Sequence, residues 1–180
     1  MTVTHPASGD RYERAEPRVA SRTLLSDAIQ LARIAHAGRT DEFGESSIEH
    51  PLRVMAALTS EDARIVAVLH DALAHSMATW VDLRAFLPNR LLMAVSAFSP
   101  PIEESEDIAS GFILADPIAL AVKLACIADR ADPERLALLD PFTRRRLEVA
   151  GESAAQALGT TLPKVPATRN QERVRTRVPR

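Results

Sequence analysis

A single cysteine, Cys126, excludes an intrachain disulfide and gives no sign of an oxidising compartment. No apolar run reaches the ~20 residues that crossing a bilayer requires. Glycine is scarce, six in 180 residues, and the glycines do not gather into a phosphate-cradling loop. Neither charge sign dominates: 22 basic and 24 acidic side chains leave a formal net charge of −2, so no global electrostatic argument favours nucleic acid as a partner. Nothing reads as a strand, and no internal repeat is visible. The polar, charged stretch MTVTHPASGDRYERAEPR does not read as a secretory signal or an anchor. The expectation is a soluble cytoplasmic protein without membrane contact. Its folded domain is expected at residues 21–160, between a disordered N-terminal tail at 1–20 and a basic, disordered C-terminal tail at 161–180.

The remaining pattern is helical. The central segment, residues 60–76, reads SEDARIVAVLHDALAHS. Ser60 is an N-cap residue, Glu61 and Asp62 complement the positive end of the helix dipole, and Ile65, Leu69 and Ala72 follow at helical spacing. Val66, His70 and Ala74 align at i, i+4 and i+8, so His70 points inward with Asp71 about 100° round the helix. An earlier helix is expected at 23–37, with Leu25, Ile29, Ala32 and His36 on one face and Gly38 as its stop. Residues 39–48, RTDEFGESSI, read as a polar loop, and Pro51 opens a short helix to about residue 58. Thr79 and Asp82 form a capping box for a helix to about residue 86, with Trp80 in the core or at its rim. A further helix covers 90–98, and the acidic residues 101–111 read as a solvated loop or helix edge. Three Asp-Pro pairs, at 116, 132 and 140, each start a helix, the last running to about residue 158. The fold class is all-α.

Several side chains carry candidate chemistry. A carboxylate beside a buried imidazole must be paired, hydrogen-bonded or ligated, so His70 and Asp71 fit either a satisfied core histidine or a metal site. His36 is a second inward-facing histidine. His50 suits a structural cap or packing role, with a ligand role as the alternative. Cys126 fits a small buried hydrophobe on the face of Ala119 and Val122. From Pro163 onward six basic residues face one acid, which suits a solubilising tail or attraction to a polyanion.

Four segments in order, AHAG at 35–38, IEHPLRV at 48–54, LHDALAHS at 69–76 and VKLACIADRADPERLALLD at 122–140, give the chain a resemblance to a known family. Together they resemble the HD-domain metal-dependent phosphohydrolases, in particular the single-domain guanosine tetraphosphate (ppGpp, alarmone) pyrophosphohydrolases related to the Rel/Spo hydrolase domain. The resemblance covers about residues 23–158 and implies an HD-type helical bundle holding a divalent metal, usually manganese. It places His36, His70 and Asp71 at three metal positions and Cys126 at the fourth, where the family has Asp. It puts Arg39, His50, Lys123 and Arg130 on the substrate side, with Arg130 where many relatives carry Asn.

The departures from that pattern cluster. The family's Glu-Asp pair, which serves the attacking water, is Ala74–His75 here, and the segment that offers a Gln and a basic pair to the nucleotide carries Asp41 and Glu42. Cys126 weakens manganese and favours zinc, if any metal binds. Asp129, one turn on, is another oxygen donor. Two readings follow. In the first, the resemblance implies a degenerate site with weak or lost hydrolase activity, acting by binding a guanine nucleotide, another phosphorylated small molecule or a protein partner. In the second, the chain is a working metal-dependent phosphohydrolase of altered metal or substrate, with His75 as its base. The oligomeric state is left open.

Overall fold

The computed structural model describes residues 23–75, 79–99 and 106–162, with the side chains of Ala74, His75 and residues 106–109 excepted. The expected tails, from residue 163 onward in the case of the basic one, lie outside the described residues. Among those described the structure is helical, with no strand and one isolated bridge between Thr40 and Ser46. Four helices build the centre: α1 (Leu24–Ala35), α2 (Glu49–Ala56), α3 (Glu61–Leu69) and the short α4 (Ala72–His75). Then come α5 (Trp80–Arg84), α6 (Asn89–Ser96), α7 (Glu106–Ala115), α8 (Pro117–Arg130), α9 (Pro133–Leu136) and α10 (Pro141–Ala157).

Helix α3 is the axis. Ala63 and every residue from Ile65 to Leu69 are buried, so the helix is apolar all round and needs partners on every side. It finds them in α1, α2, α6 and α8. Each of its larger side chains, Ile65, Val66, Val68 and Leu69, contributes about 1.5–3 kcal/mol on leaving water. Leu83 of α5 and Leu91 and Val95 of α6 close the same core.

The expected single helix over 60–76 breaks at His70–Asp71. His70 Nδ1 lies 2.7 Å from the carbonyl of Ala67. That carbonyl is the acceptor the amide of Asp71 would use in a continuing helix, so the imidazole competes with the backbone ladder there. The acidic stretch, expected as a solvated loop or helix edge, enters α7 at Glu106, and Trp80, expected in the core or at its rim, is 42% exposed. The Thr79 capping box forms as expected.

Caps fix the helix that matters most for the site. Asp116 Oδ1 accepts from the amides of Ile118 and Ala119, at 2.8 and 2.9 Å, and Pro117 occupies the first turn of α8. Asp116→Ala should therefore cost about 1 kcal/mol. Thermal unfolding followed by circular dichroism should show a midpoint lower by about 2–4 °C; an unchanged midpoint would mean that packing alone holds α8.

Candidate functional site

The site is built where two i, i+3 pairs interlock. On α2 His50 and Arg53 share a face, and on α8 Cys126 and Asp129 do the same. Packing α2 on α8 brings Asp129 Oδ2 to 2.7 Å from His50 Nδ1, and Asp129 Oδ1 to 2.7 Å from Arg53 Nε. One step along the same faces, Cys126 Sγ lies 3.3 Å from His50 Nε2. Each ring nitrogen of His50 is thus engaged by a residue of α8.

A carboxylate accepts, so His50 Nδ1 carries the proton and Nε2 offers its lone pair toward Cys126. His70 is set the same way by a different acceptor. Its Nδ1 donates to the Ala67 carbonyl, which leaves Nε2 as the ligating nitrogen. That Nε2 is buried without a hydrogen-bond partner, although Asp71 Oδ1 stands 3.3 Å away. The two imidazoles meet edge to face, with centroids 5.3 Å apart.

His50, His70 and Cys126, all buried, each bring one ligand atom to within 4.8 Å of the others, forming the metal-type group among the described residues. Asp71 borders it, its Oδ2 at 4.0 Å from His50 Nε2 and 3.6 Å from an Arg130 nitrogen. Burial pushes the Cys126 thiol up, but the neighbouring His70 imidazole and the charge of Arg130 outweigh it and hold the thiol below its ordinary value. Burial likewise pushes Asp129 up, and the hydrogen bonds from His50 and Arg53 outweigh it, so that carboxyl lies below its usual range.

The donors fit a divalent metal. Two imidazoles with their outer nitrogens already fixed and a thiol, bordered by a carboxylate, are donors a divalent metal can use, and the orphaned His70 Nε2 is the atom a metal would satisfy. The thiol makes manganese the poorer match.

The group opens into a cleft of about 550 Å³, lined in part by His36, Arg39, Arg53, Asp71, Asp129 and Arg135. His36, expected to ligate together with His70, lies in this cleft, buried, with Nδ1 3.1 Å from Ser47 Oγ, and is outside the metal-type group. His50, expected on the substrate side, belongs to that group. Of the other residues expected there, Arg39 and Arg130 line the cleft and Lys123 does not. The side chain of His75 lies outside the described ones. Asp129, expected only as another oxygen donor, instead orients His50. Arg53 and Arg135 were missed, and the only available signal was their spacing from His50 and Asp132.

No family model matches the chain, and no curated protein matches it. Its fold is found among solved structures. One, described as a metazoan ortholog of SpoT that hydrolyzes ppGpp and plays a role in starvation responses, superposes with a TM-score of 0.59 at 17% identity, covering 88% of this chain and 90% of that one. The architecture is therefore all-α and like that of the HD-domain ppGpp hydrolases. No described helix is long and apolar enough to cross a membrane.

Proposed function

We propose that this chain holds a divalent metal, zinc in preference to manganese, through His50, His70, Asp71 and Cys126, and binds a phosphorylated small molecule beside it, with hydrolysis of ppGpp weak or lost. The observation that carries the reading is the convergence of His50, His70 and Cys126 on one point, with both imidazoles oriented by partners on their far nitrogens. That preorganisation has a cost: His70 Nε2 is a buried polar atom that only a bound ligand would satisfy.

A bound divalent metal would supply a Lewis acid and a water of lowered pKa to phosphoryl chemistry. This chain's own residues supply the rest. Asp129 holds the His50 tautomer, and Arg130, exposed at the mouth beside Asp71, offers a planar fork to a phosphate. Ala74 and His75 occupy the positions where the resembled family has its water-positioning carboxylates, and alanine cannot accept a proton. General base catalysis contributes about 10²–10⁴ in rate, so losing that pair removes the larger part of efficient turnover.

Elemental analysis of the purified protein, run beside an assay of pyrophosphate release from ppGpp with manganese or zinc added, tests both halves. The expected result is about one zinc-class ion per chain and no manganese-stimulated release. Turnover within the ordinary enzyme range of ~1–10³ s⁻¹ would sink the claim of lost catalysis. A protein that stays metal-free after zinc addition would sink the metal centre.

A further inference from the structure

The cleft beside the metal-type group contains arginines, and their partners decide what they can bind. Residues 39–47 form a tight turn, not an open loop: the Asp41 amide donates to the Glu45 carbonyl at 2.9 Å, and the Ser47 amide to the Arg39 carbonyl at 3.0 Å. Asp41 Oδ1 accepts from the amides of Phe43 and Glu45, and Gly44, at φ +75°, supplies the left-handed residue that closes the turn. Asp41 and Glu45 thereby face the arginines.

Arg53 is fully engaged. Its Nε and one terminal nitrogen bind the two oxygens of Asp129, at 2.7 and 3.2 Å, and its other terminal nitrogen binds Glu45 at 3.2 Å. One terminal nitrogen of Arg135 donates to Glu45 at 3.1 Å and lies 3.5 Å from Asp41, and the guanidinium lies 4.1 Å over the Phe43 ring; the other terminal nitrogen, 3.7 Å from Asp129, makes no hydrogen bond. Arg39 is not free either. A phosphate that took Arg53 would strand the half-buried carboxylate of Asp129, which is a poor exchange in a site of low dielectric. The carboxylates of Asp41, Glu45 and Asp129 already fill the role that a ligand's outer phosphates would take. Arg130 differs: its side chain is 56% exposed, and its contact with Asp71, at 3.6 Å, is longer than a hydrogen bond.

Building on the phospho-ligand site proposed above, we infer that the cleft selects a phosphomonoester, one phosphate held by Arg130 at the metal-type group, over ligands with several phosphates, because the acidic 39–47 turn occupies Arg53 and Arg135. The turn is the specificity element. Neutralising it while keeping its shape should restore polyphosphate binding: Asp41→Asn retains the side-chain acceptor for the turn, and Glu45→Gln changes a half-exposed side chain.

Calorimetric titration of the full-length protein with guanosine 5′-monophosphate and with ppGpp, in zinc-containing buffer and after chelation, reads the preference. In the natural protein the monophosphate should bind more tightly than ppGpp, by about threefold or more. The Asp41→Asn, Glu45→Gln double variant should bind ppGpp about tenfold more tightly and the monophosphate unchanged, whereas Arg130→Gln should weaken both by about tenfold. Binding of ppGpp to the natural protein as tightly as the monophosphate or more tightly, or no millimolar binding of either, overturns the inference. Metal content of the same samples separates the two claims. Zinc uptake with a ppGpp preference leaves the metal centre standing and removes the selectivity; a monophosphate preference without metal does the reverse.

Discussion

Asp129→Ala should lower the stability of the domain by about 3 kcal/mol, because it leaves two largely covered guanidinium groups and an imidazole N–H without their shared acceptor. The Asp129 side chain is 13% exposed and serves Arg53, Arg135 and His50 at once. Removing it leaves one guanidinium with its two best hydrogen bonds lost, at 2.7 and 3.2 Å, and an imidazole proton without its acceptor. An exposed pair makes the comparison. Arg146 and Glu42, both about half exposed and 3.6 Å apart, should contribute under about 1 kcal/mol, so Arg146→Ala should be nearly silent. For a domain of this size 3 kcal/mol corresponds to a midpoint lower by about 6–12 °C in a thermal melt. Asp129→Asn keeps one acceptor and should fall between. A melt of Asp129→Ala indistinguishable from that of Arg146→Ala would mean that the α2–α8 pairing contributes little. The same alanine should also weaken zinc by about 10–100-fold, since it unlocks the His50 tautomer.

The larger functional effect should come from Cys126. Cys126→Ser removes the soft donor while leaving a small polar atom that can still hydrogen-bond His50, so the fold should lose about 1 kcal/mol at most. Zinc affinity should fall by at least about a hundredfold, more than the loss of a supporting hydrogen bond would bring. Cys126→Asp should behave differently from either. An oxygen donor beside two imidazoles and Asp71 suits manganese, so the preference between the two metals should shift toward manganese. Competition between zinc and manganese for the purified variants, read with a chromophoric chelator, gives the order directly. Equal zinc affinity in the natural protein and in Cys126→Ser would show that the thiol is packing only.

Much of this fold is legible from local chemistry. The cap residues Thr79, Asp116, Asp132 and Asp140 all accept backbone amides where the Asp-Pro and Thr-x-x-Asp patterns place them. The inward positions of His70 and Cys126 follow from apolar neighbours one turn away, and both are buried. Pairings between distant segments are not legible in that way. His50 opens a helix, which by itself suits a cap; what makes it a candidate ligand is Asp129, 79 residues later, holding its other nitrogen. His36 ends an apolar stripe just as His70 does, and helical periodicity cannot tell that it faces Ser47 and the cleft. The break after Leu69 escapes for a related reason: a side chain rather than a proline or glycine takes the carbonyl of Ala67. Helix α7 is masked by its acidic start, which dilutes the apolar period. The polar loop at 39–48 carries its turn signals in Asp41 and Gly44, but that its acids face Arg53 and Arg135 depends on α2 and α9 meeting across it.

Zinc-edge X-ray absorption of the zinc-loaded natural protein tests the central claim most directly. A thiolate-containing centre predicts one sulfur neighbour at about 2.3 Å among nitrogen and oxygen neighbours at about 2.0–2.1 Å, with the sulfur absent in Cys126→Ser. A shell of nitrogen and oxygen alone in the natural protein would contradict it, because Cys126 would then lie beside the metal without holding it.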